Sequence, residues 1–135
     1  MEFIGYIKEH ESGLVKMGVS INDIEPAENW LLMEYYSEVL NYLEKAPILL
    51  GFLRWLYDEN GESIGPLMIH TDGHWIWPSY LVYYLNRGYQ SMIPDEFMHY
   101  MHNVKFMVMP LTDEKRKSVE IFYTNAYQSR RKRER

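Results

Sequence analysis

The sequence predicts a single α+β domain in which an antiparallel three-stranded meander packs against several helices, and three observations carry that prediction. Two hairpin-turn signals, Asp58-Glu59-Asn60-Gly61 and Asp72-Gly73, separate three runs of strand-forming residues. Apolar residues recur at helical spacing from Ala27 to Lys45 and again around Phe97 and Val119. No internal repeat and no linker interrupts the 135 residues, so residues 1–128 read as one domain followed by a basic tail, 129–135, which is expected to fray.

The elements follow in order. Phe3, Ile7 and His10 fall at helical spacing, which suggests a short first helix over residues 2–10, with a strand as the alternative. Ser12-Gly13 breaks it, and Leu14 to Ile21 reads as loop with some strand character. Asn22, Asp23 and Pro26 are helix-start residues. Leu31, Tyr35, Val39 and Leu43 then form one stripe, with Glu28, Glu34, Glu38 and Glu44 on the flanks and outer face, and Pro47 stops the helix.

Ile48 to Tyr57, ILLGFLRWLY, is apolar on both faces and is expected to form a strand buried on both sides, since Gly51 would weaken a helix, which is the alternative. The next strand covers Ser63 to Thr71, where Pro66 calls for an edge position or a local break. His74 to Trp77 is the return strand, and Pro78 suits the start of a helix over Ser79 to Asn86 that Gly88 ends. Ile93-Pro94-Asp95-Glu96 opens another helix, since proline and two carboxylates favour a first turn and Ile93 can pack on Phe97. Val104 to Met109 reads as a last strand, and Thr112 as the cap of a final helix carrying Val119, Phe122, Tyr123 and Ala126.

Composition narrows the function classes. A hydrophobic fraction of 47% and 12 tyrosines argue for a packed globule with phenol rings at core edges or interfaces. The chain has no cysteine, which excludes disulfides and thiolate metal sites. No apolar run reaches the roughly 18 residues of a membrane span, and the first residues lack the pattern of a signal peptide, so the cytoplasm is the expected location. Residues 1–112 carry 6 Lys and Arg against 15 Asp and Glu, a net −9, while residues 113–135 carry 8 against 4, a net +4. An acidic body repels nucleic acid and attracts a basic protein.

Candidate chemistry is sparse. His70, Asp72 and His74 spell H-x-D-x-H across the second turn, a donor set suited to a divalent metal, whereas the plainer account makes Asp72-Gly73 the turn and the histidines its flanks. His99 and His102 share a helix face, as ligands or as ordinary solvated residues. Trp75 and Trp77 point to one side of their strand, either lining a ring-binding pocket with the nearby tyrosines or plugging the space between sheet and helices. Asp58, Glu59 and Glu62 cluster at the first turn, and Glu34 and Glu38 lie at helical spacing, as partner contacts or as solvated carboxylates. Phosphate-binding loops, G-x-S-x-G and a cysteine nucleophile are all missing, which argues against an enzyme, and no cofactor is implied.

The run TDGHWIWPSYLVYYL, Thr71 to Leu85, followed by IPDEF, Ile93 to Phe97, resembles a signature of small, largely uncharacterised bacterial proteins. Some proteins of this size and make-up are similar to the immunity proteins encoded beside polymorphic toxins. That resemblance implies a non-enzymatic inhibitor of a cationic toxin, with no catalytic residue to carry over. The expected interface is then Glu34, Glu38, Asp58, Glu59 and Glu62, with Trp75 and Trp77 as aromatic contacts. The competing expectation is a small-ligand binder or metal-dependent hydrolase built on the same tryptophans with His70, Asp72 and His74.

Overall fold

Among the described residues a four-stranded mixed sheet, rather than a three-stranded meander, forms the centre of the domain, and four α-helices pack around it. The computed structural model describes residues 1–10, 18–27 and 34–134, with side chains through residue 126. The strands are β1 (Glu2–Phe3), β2 (Ile48–Tyr57), β3 (Ser63–Thr71) and β4 (Trp75–Pro78), in the spatial order β1-β4-β3-β2. The helices are α1 (Tyr36–Lys45), α2 (Tyr80–Leu85), α3 (Asp95–Asn103) and α4 (Asp113–Glu134). Among the described residues no helix is long and apolar enough to cross a membrane.

The antiparallel pairs β2–β3 and β3–β4 form as the turn signals predict. The added strand comes from the N-terminus, where a helix is expected. Glu2 and Phe3 pair in parallel with Trp75 and Ile76. Gly5, at φ +74, then turns the chain, and only Lys8–His10 winds into a short 3-10 turn. Three apolar residues cannot hold a helix against the backbone bonds on offer at the open edge of β4. The expected strand at Val104 to Met109 is also missing. Lys105 and Phe106 both take left-handed φ values of 55°, which ends α3 in a tight turn instead.

The first long helix starts later than its periodicity suggests. Ala27 lies outside any helix, donating its N–H to the Gly88 carbonyl, and Tyr35 sits at φ 67, so α1 begins at Tyr36. Leu31 and Leu32 lie outside the described residues, as do Leu14 to Met17. Val39, Tyr42 and Leu43 are its buried face. Elsewhere local chemistry acts as expected. Pro94 stands immediately before α3, and the Thr112 hydroxyl accepts the Lys115 N–H at 3.1 Å to cap α4.

The core gathers on β4. Trp75, Ile76 and Trp77 are all buried, so this short strand is covered on both faces. Trp77 packs on Tyr42 and Phe97, and its indole N–H donates to the Leu43 carbonyl at the end of α1. Trp75 also packs on Phe97. From α2, the Tyr80 hydroxyl accepts the Ile7 N–H at 2.9 Å, tying the N-terminal segment to the helix.

β2 corrects the expectation of a strand buried on both sides. It is the edge of the sheet, and Leu53, Trp55 and Tyr57 are exposed along it. Its register is broken. Between Gly51, opposite Met68, and Trp55, opposite Pro66, β2 passes Phe52, Leu53 and Arg54 while β3 passes Leu67 alone. The extra residues make a bulge, which pushes Leu53 outward and blunts the edge against simple strand pairing. Pro66 is tolerated because the break is beside it and β4 reaches only as far as Ile69.

Candidate functional site: the acidic and aromatic β2–β3 hairpin

The tip joining β2 to β3 is organised by one carboxylate. Asp58 Oδ1 accepts the N–H groups of Asn60 and Glu62, each at 2.9 Å, and the Asp58 N–H closes the turn on the Glu62 carbonyl. Gly61 takes the positive φ of +81 that the turn requires, and it is the only residue of the turn to do so. The Tyr83 hydroxyl of α2 donates to Asp58 Oδ2 at 2.6 Å. That bond, with the two backbone donors and nearby Arg87, holds the Asp58 carboxyl below the usual carboxylate range. Burial and the bond to Asp58 push the Tyr83 phenol up to about 12.

The remaining carboxylates differ in their freedom. Glu62 pairs with Arg87 at 2.9 Å, and the Arg87 guanidinium lies 4.4 Å from the centre of the Tyr83 ring. Glu59 takes no hydrogen bond or ion pair among the described residues and is exposed. The sequence-predicted trio Asp58, Glu59 and Glu62 is therefore brought together at one tip. Glu34 and Glu38 are exposed at the start of α1, and no hydrogen bond or ion pair of the described residues joins them to that tip.

The exposed face of β2 runs directly into this acidic tip. Leu53 stands clear of the surface, and Trp55 and Tyr57 are 56% and 55% exposed. The Trp55 indole N–H donates to the Ser63 hydroxyl, which fixes the ring against the opposing strand. Behind this stripe a groove of about 300 Å³ opens toward Glu9, His10, Arg54 and Tyr84. His10 Nε2 and the Tyr84 hydroxyl lie 2.8 Å apart, and Arg54 donates to the His10 carbonyl. Burial, helped by Arg54, lowers the His10 pKa against the upward pull of Glu9, Glu59 and Asp58.

The other predicted residues lie elsewhere and do other work. Trp77 is fully buried and Trp75 is 9% exposed, so neither reaches a partner without the core opening. The H-x-D-x-H segment does not converge on a common point. Asp72 Oδ1 accepts the N–H groups of His74 and Trp75, and its Oδ2 accepts the Tyr42 hydroxyl at 2.6 Å. His70 is buried, with Nδ1 donating to the Ala46 carbonyl, whereas His74 is exposed beside Tyr100. His99 is exposed on α3, and His102 meets the rings of Tyr35 and Phe106. Among the described residues no group of three or more His, Cys, Asp or Glu is placed to hold a metal ion.

Sequence reasoning missed Leu53 and Tyr57 because an all-apolar run reads as interior. The one charge in the run, Arg54, belongs to the face opposite Leu53 and Trp55, so it does not mark their face as the bare one.

No family model, no curated protein and no solved structure matches this chain.

Proposed function

We propose that this protein is a non-enzymatic binding module that meets a cationic protein through the β2–β3 hairpin, in the manner of an immunity or inhibitor protein for a basic toxin. One observation carries the reading: a sheet face of Leu53, Trp55 and Tyr57 left bare on an edge strand and ending in Asp58, Glu59 and Glu62. Aromatic side chains on a rigid strand supply contact area at low entropic cost, the usual make-up of an interface centre. Carboxylates around them favour a basic partner and speed the encounter. The acidic balance of residues 1–112 acts in the same sense over a longer range.

The test uses the protein encoded beside this one, purified and titrated against the full chain. Complex formation that weakens steeply with salt is expected. Trp55→Ser should weaken it at least about tenfold, as for a central aromatic contact. Glu59→Lys with Glu62→Lys should slow association and flatten the salt dependence. Binding unchanged by both variants would end the proposal for this surface.

A further inference from the structure

A second concavity lies away from the hairpin stripe, between β3, the end of α1 and α2, and its chemistry differs. It encloses about 360 Å³, at the small end of ligand-pocket volumes. Leu43, Ile64, Pro66, Val82 and the Tyr83 ring give it apolar and aromatic walls, with the buried Trp77 beneath them. His70 and Trp77 are cross-strand partners, and their rings lie within 8° of parallel with centres 6.3 Å apart. Glu44 stands on its rim.

Two polar groups here are not used by the fold. A backbone carbonyl only accepts, so the 3.0 Å contact with Ala46 makes His70 Nδ1 the protonated nitrogen. In the neutral ring Nε2 is then an acceptor, and it has no partner among the described residues. The Glu44 carboxylate likewise takes no hydrogen bond or ion pair there. The other two hydroxyls are engaged: Ser79 accepts from the Met68 N–H and donates to the Pro66 carbonyl, and Tyr83 donates to Asp58. The concavity therefore presents apolar walls, one neutral acceptor and one negative charge, and no free donor among those groups. An anion has nothing to bind there, and the acidic body repels it.

We propose that this concavity is a binding site for a small planar ring bearing an ammonium group, with the ring against Tyr83 and Val82, a ring N–H on His70 and the ammonium at Glu44. The site adjoins the hairpin tip through Tyr83, but its ligand and its test do not depend on the proposed protein partner.

The experiment titrates the ¹⁵N-labelled full chain with tryptamine, and with indole-3-acetate as the same ring carrying the opposite charge. Saturable shifts are expected at Tyr83, His70 and Val82, with a dissociation constant in about the millimolar range typical of so small a ligand. Indole-3-acetate should bind about tenfold more weakly, or not at all. Glu44→Gln, at an exposed position, should remove that preference while leaving the spectrum otherwise native. His70→Phe keeps the ring stack and should weaken tryptamine several-fold. The proposal is overturned if no saturable shift occurs at these residues, if the two probes bind equally, or if Glu44→Gln leaves their ratio unchanged. Because Glu44→Gln spares the core, it decides the matter even if His70→Phe does not fold.

Discussion

The two hairpin turns of this sheet are built with the same atoms and serve opposite ends. In each, an aspartate Oδ1 takes two backbone N–H groups and its Oδ2 takes a tyrosine hydroxyl at 2.6 Å: Asp58 with Tyr83, Asp72 with Tyr42. Asp72 is buried beneath α1 and α3 partners, with Thr71 adding bonds to Gly73 and Trp75. Asp58 stands at the surface beside an exposed salt bridge. The local motif closes the turn in both cases. Burial decides whether breaking it disturbs the whole fold or only the tip, because water replaces a lost partner at the surface and cannot do so inside.

That contrast predicts its own largest effect. Asp72→Ala leaves the buried Trp75 N–H, the part-buried His74 N–H and the buried Tyr42 hydroxyl without partners, and should cost about 4 kcal/mol in urea unfolding. Asp58→Ala should leave the unfolding midpoint near that of the parent. If the two variants were equally destabilised, the difference between the turns would not lie in burial.

The tyrosines sharpen the same comparison. Tyr42→Phe removes a buried bond to a charged group and should lose about 2 kcal/mol. Tyr83→Phe should lose much less, and its readout is the Asp58 carboxyl, which should titrate closer to the ordinary range in carbonyl-detected NMR. An Asp58 titration unmoved by Tyr83→Phe would show that the phenol is not its main support.

Acidification should act on both regions with one sign. Burial lowers the pKa of His10 near the first hairpin and of His70 near the second, the Ala46 contact opposing it at His70. Unfolded histidines near 6.5 then bind protons before the native ones do. The stability held by these neutral rings is complete above about 6.5 and declines as pH falls through the native values. His70→Phe should flatten that decline between pH 7 and 5, measured by thermal melts across the range. A slope identical to the parent's would place the titrating group elsewhere. Asp58, with its lowered carboxyl, enters in a separate and more acidic window, below about 4.

The smallest effect on stability belongs to the surface with the largest proposed role. Glu59→Lys and Trp55→Ser lie on solvent-facing positions and should each change folding by under about 0.5 kcal/mol. A larger loss would mean that the stripe supports the sheet rather than standing ready for a partner.

Much of the fold was legible in the residues. The two turns, the three antiparallel strands, the proline before α3 and the threonine cap of α4 follow from chemistry that acts over a few residues. The burial of Trp75 and Trp77 agrees with the plainer of their two sequence readings. The same residues could not show that Glu2 and Phe3 would join the sheet. Their partners, Trp75 and Ile76, are some seventy positions away in a chain whose first ten residues carry a helical spacing. Nor could ILLGFLRWLY announce that one face stays bare, since apolar content records what a strand can bury and not what arrives to cover it.

What the sequence determined by itself is local: where the two hairpins turn, where α3 and α4 start, and the sign of charge on its body. Tertiary structure alone decided which aspartate is sealed and which is offered to solvent, that His70 faces an apolar hollow rather than His74, and that β2 lies at an edge. These outcomes depend on contacts between segments far apart in the chain. Hydrogen bonds within a turn have the same form wherever the turn lies, but the cost of losing them depends on what packs above it.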